Sequence, residues 1–79
     1  MDISGVVVAC RPEHMETLTA SLAELPWADL HFSTPVGRMV VTIEAADHHQ
    51  SMDRLTAIRR LPRVPRADLA KYRAEATEE

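Results

Sequence analysis

The chain has 79 residues, enough for one domain with a single core but at a size where only about 60% of the extended surface becomes buried. An apolar fraction of 46% and a charged fraction of 27% are those of a globular protein, and a net charge of −3 excludes a general nucleic-acid binder and suits a cationic ligand. Cys10 is the only cysteine, which excludes an internal disulfide; the N-terminus lacks a secretory pattern and no run approaches the roughly 20 apolar residues of a membrane span, so a cytoplasmic location is expected.

The first element is the run "SGVVVAC", Ser4 to Cys10, a strand that is apolar on both sides: Gly5, Val7 and Ala9 alternate with Val6, Val8 and Cys10. From Pro12 to Leu25, Met15, Leu18, Leu22 and Leu25 recur at spacings of three and four, which predicts an amphipathic helix begun by Pro12 and ended by Pro26. "WADLHFS" follows, with Ala28, Leu30 and Phe32 on the buried side of a strand and Asp29, His31 and Ser33 on the other. Thr34 to Gly37 make a turn, and "RMVVTIEA" is a second clear strand, Met39, Val41, Ile43 and Ala45 alternating with Arg38, Val40, Thr42 and Glu44. Asp47 and Gln50 resemble a capping box ahead of a helix whose stripe is Ser51, Met52, Leu55, Ile58 and Leu61, stopped by Pro62. "VPRADLAKY" reads as a charged strand suited to a sheet edge, and residues 75–79 as an acidic tail beyond a domain of residues 1–74.

An offset of 36 residues lays Leu25 and Pro26 on Leu61 and Pro62, Leu22 on Ile58, Val7 on Ile43 and Ala9 on Ala45. Each half is therefore strand, helix, strand. The order βαββαβ with right-handed crossovers gives a ferredoxin-like α/β sandwich, two helices on one face of a four-stranded antiparallel sheet ordered 4-1-3-2. On this reading the helices cover Val7, Ala9, Val41 and Ile43. The other face stays open, with Val6, Val8, Val40 and Thr42 at its middle and Asp29, His31, Glu44, Asp68 and Tyr72 around them.

Catalytic and metal chemistry find little support. His48 and His49 are adjacent and point apart at a helix start, without the three or four converging ligands a metal needs. Cys10 with His14 or His31 lacks any accompanying oxyanion or phosphate loop, and Gly5 and Gly37 are the only glycines. The basic residues from Arg54 to Arg73 read as a solvated helix face and a charged edge, since the central strands carry no aromatics for stacking RNA bases. Trp27 reads as a packing residue at the end of the sheet. No enzyme activity and no cofactor are expected.

The segments "ISGVVVAC", "LPWADLHFST", "GRMVVTIEAAD" and "LTAIRRLPRV" together resemble the NapD family, over about Ile3 to Tyr72. The resemblance implies a small cytoplasmic chaperone of the periplasmic nitrate reductase. Such a protein binds the twin-arginine signal peptide of the catalytic subunit, as a helix on the sheet side, and restrains export until cofactor insertion is complete. The last strand departs from the family pattern by carrying Arg66, Asp68 and Lys71. The implied peptide-binding residues are Val6, Val8, Val40 and Thr42 for its apolar part, with His31 and Tyr72 beside them and Asp29, Glu44 or Asp68 meeting the arginines. Two other uses of an open ferredoxin-like face stand beside this one: pairing with a second copy, and small-molecule regulation.

Overall fold

A computed structural model describes residues 2–74, with side chains as far as residue 70; the expected acidic tail, residues 75–79, lies outside the described residues. The first strand, β1 (Asp2–Ala9), leads through a 3-10 turn at Pro12–His14 into α1 (Met15–Ala23). The hairpin β2 (Ala28–Ser33) and β3 (Arg38–Ala45) follows, then α2 (His48–Arg59) and β4 (Arg66–Ala74). The strands lie in the order β2-β3-β1-β4, all neighbours antiparallel, which is the expected 4-1-3-2 sheet. The fold is the ferredoxin-like sandwich.

Local chemistry accounts for the limits of the elements. No side chain caps the start of the first helical segment, and Pro12 enters through a tight 3-10 turn in which the Met15 amide donates to the Pro12 carbonyl. The α-helix itself ends at Ala23, before the residues next to Pro26 that proline pushes out of helical geometry. The second helix is properly capped: the Gln50 amide donates to the Asp47 carboxylate at 2.8 Å, and the Gln50 side-chain oxygen accepts from the Ala46 amide at 2.7 Å. Gly37 closes the β2–β3 turn with φ +100°, and the Cys10 amide donates to its carbonyl at 2.9 Å. A Cβ at position 37 would stand 2.0 Å from the Cys10 carbonyl oxygen, so only glycine fits.

The core joins Val6 and Val8 of β1 to Met39, Val41 and Ile43 of β3, covered by Leu18 and Leu22 of α1 and Leu55 and Ile58 of α2. This corrects the expected phase of β1. Val6 and Val8, expected on the open face, are 0% exposed beneath the helices, while Val7 and Ala9 are only half-buried and lie on the other side. Burying two valines rather than one valine and one alanine removes roughly two more CH₂ equivalents from water, worth about 0.8 kcal/mol each. Ser4 is carried inward with them, and its hydroxyl has no hydrogen-bond partner among the described residues. The phase of β3 is as the alternation predicts, and β4 does take an edge.

Candidate functional site

The register defines the face that the helices leave open. Val7 pairs with Val40 on one side and with Asp68 on the other, and Phe32 pairs with Val40, so one cross-strand row reads Phe32, Val40, Val7, Asp68. The next row is Asp29, Thr42, Gly5, and beyond it Glu44 stands opposite Ile3. In the other direction Ala9 lies between Arg38 and Arg66. A groove of about 270 Å³ opens on this side among Val7, Ala9, Arg38, Arg66 and Asp68. A larger depression of about 330 Å³, lined by Arg11, His14, Arg63, Val64 and Pro65, shares no residue with the face.

Of the residues expected here, Asp29, His31, Val40, Thr42, Glu44 and Asp68 are brought together. His31 Nε2 lies 2.7 Å from Thr42 Oγ1, tying β2 to β3 across the surface. Val6 and Val8 are replaced by Val7 and Ala9. Tyr72 was expected in the same row set as Asp68. A register shift between Leu69 and Lys71 leaves Ala70 unpaired and sets Tyr72 opposite Ser4 instead; its side chain lies outside the described residues.

Phe32 was expected among the buried residues of its strand, and the structure reverses this. The register of β2 shifts between Leu30 and Phe32, so Phe32 comes opposite Val40 and is 60% exposed on the open face, where Val40 is 37% exposed. A bulge moves every later residue of a strand to the other side. Nothing in "LHFS" signals it, since each residue suits either side of an edge strand.

Electrostatically the face has two unlike ends. Asp29 and Glu44 are exposed, and among the described residues no cation pairs with either carboxylate. Asp68 already accepts from Arg66 Nε at 2.6 Å. The Glu44 backbone is fixed on both sides: its amide donates to the Trp27 carbonyl at 2.9 Å, and its carbonyl accepts from the Arg54 guanidinium. Arg54 also lies over the Trp27 ring, 5.2 Å from its centroid. Trp27 is thus the packing residue expected at this end of the sheet.

The sites weighed for other chemistry look different. Burial pushes the Cys10 thiol pKa up, which disfavours the thiolate a nucleophile needs. Among the described residues no three His, Cys, Asp or Glu side chains are grouped so as to hold a metal ion. His49 lies 3.7 Å from Asp53, one turn along α2. Arg59 of the basic second half donates to the Ala67 carbonyl at 2.7 Å, fastening α2 to β4. No helix among the described residues is long and apolar enough to cross a membrane.

What the fold and face define is a ferredoxin-like domain whose sheet is covered, among the described residues, on one side only. The chain belongs to the NapD family: the family model described as NapD protein matches residues 1–75. Among solved structures, the solution structure of the E. coli Tat proofreading chaperone protein NapD superposes with a TM-score of 0.82 at 22% identity, covering 98% of this chain and 82% of that one. No curated protein matches the chain in sequence.

Proposed function

We propose that this chain is a cytoplasmic chaperone that binds the twin-arginine signal peptide of the periplasmic nitrate reductase catalytic subunit and restrains its export until cofactor insertion is complete. The observation that carries the reading is the row Phe32, Val40, Val7, an apolar strip on a sheet face that no described element covers, flanked by the carboxylates of Asp29 and Glu44, which have no cationic partner among the described residues. A twin-arginine signal is cationic at its head and apolar along its middle, and the face offers a counterpart to each part. The apolar strip supplies burial and the carboxylates supply charge-assisted hydrogen bonds. Membership of the NapD family and the likeness to a Tat proofreading chaperone support the same reading.

Calorimetric titration with the twin-arginine peptide, beside a peptide with both arginines replaced by lysine, tests it. Binding is expected for the first and weaker binding for the second, because only the guanidinium can meet a carboxylate bidentately. Heat from neither peptide overturns the reading. A stable dimer without peptide, disrupted by Phe32→Ser, would assign the strip to self-association instead.

A further inference from the structure

The open face is polar along the strands, and this assigns a direction to its ligand. We infer that the peptide lies in one orientation only, its cationic head at the corner formed by Asp29 and Glu44 and its apolar segment running over Val40, Phe32 and Val7 toward Ala9, between Arg38 and Arg66. The inference rests on the signal-peptide reading above and adds the polarity of binding.

Three observations carry it. Two carboxylates of the open face that have no cationic partner among the described residues sit together, since Asp29 is paired with Thr42 and Glu44 is two residues further along β3. Such diagonal neighbours stand about 7–8 Å apart, far enough to take two guanidinium groups separately. Arg38 occupies the opposite end of the same strand and Arg66 the corresponding end of β4. A reversed peptide would bring its arginines against Arg38, which has no carboxylate partner among the described residues, and against the Arg66–Asp68 pair, whose carboxylate is already engaged. On β4 the register sets Lys71 opposite Gly5 and Arg73 opposite Ile3, so the acidic corner belongs to β2 and β3, and the path runs diagonally away from it.

The helical form that the family resemblance implies for the bound peptide agrees with this geometry. The central strands of this sheet pair with a neighbour on each side, so their backbone groups are already used in the ladders, and a peptide lying on the face must satisfy its own backbone. A helix does so. From Glu44 to Arg38 is six residues of strand, about 20 Å, the length of a helix of about 13 residues. Seated with its N-terminal arginines at the carboxylates, that helix also presents the negative end of its dipole to Arg38 and Arg66. Gly5 and Ala9 keep the path low, and the arginine stems extend its apolar floor.

The test uses the isotope-labelled full chain and a synthetic twin-arginine signal peptide carrying a nitroxide at its N-terminus or, in a second preparation, at the C-terminal end of its apolar segment. The first label should broaden the amide signals of Asp29, Thr42 and Glu44 most, the second those of Ala9, Arg38 and Arg66. Tight binding with the reverse pattern, or with both labels broadening both ends alike, overturns the direction and leaves the signal-peptide reading standing. Absence of binding overturns both. The double variant Asp29→Arg, Glu44→Arg should bind the same peptide at least ten-fold more weakly while its circular dichroism is unchanged; undiminished affinity would remove the corner from the site.

Discussion

Val6 and Val7 are chemically identical neighbours on β1, yet one is sealed under the helices and the other lies half-buried on the open face beside Val40. The buried side of the sheet is continuous and apolar except for Ser4 and, at the start of β1, Asp2. The open side mixes Val7, Val40 and Phe32 with glycine, alanine, threonine and charges. Hydrophobicity of a residue therefore does not tell which side supports the fold and which is available to a ligand. The parity of its strand does.

Replacing valine by aspartate on each side gives the largest contrast in stability. Val6→Asp and Val41→Asp put a carboxylate into a closed core, a cost of several kcal/mol against a margin of about 5–15 kcal/mol that a domain this small occupies at its lower end. Both should lack a cooperative thermal transition. Val7→Asp and Val40→Asp should melt like the parent and fail to bind the signal peptide in titration. Equal behaviour of all four would mean that the two faces are not distinct.

Gly37→Ala comes next, because Gly37 anchors the β2–β3 turn to Cys10 and so holds the hairpin against the end of β1. A left-handed backbone alone costs a non-glycine residue about 1–2 kcal/mol, and the clash with the Cys10 carbonyl adds to it. Urea denaturation should show a loss of at least about 2 kcal/mol. A loss under half of that would mean that the turn relaxes freely.

Ser4→Ala works on the buried side in the opposite direction. It removes a hydroxyl without a partner among the described residues, and a gain of up to about 1 kcal/mol is expected by the same denaturation measurement. A loss of stability would show that the hydroxyl is satisfied in solution. The smallest effect on stability belongs to Phe32→Ser, within about 0.5 kcal/mol of the parent, as for other exposed positions. Its peptide affinity should nevertheless fall clearly, which sharpens the separation between folding and binding roles.

The sequence by itself determined the order of elements, the stops at Pro26 and Pro62, the cap at Asp47, the edge position of β4 and the phase of β3. In β3 the polar residues Arg38, Thr42 and Glu44 mark the open side without ambiguity, and the carboxylates at Asp29, Glu44 and Asp68 could be assigned to that side in advance. Only the tertiary structure decided the phase of β1, whose residues are apolar on both sides. The offset of 36 that aligns Leu22 with Ile58 is even, whereas buried residues lie at even positions in β1 and odd positions in β3, which requires an odd offset. One residue of difference turns a helix by about 100° and can be absorbed, but it exchanges the two faces of a strand completely. The shifts at His31 and Ala70 act by the same parity, moving Phe32 onto the open face and Tyr72 out of its expected row. No local pattern records them, because a bulge is set by how neighbouring strands fit together.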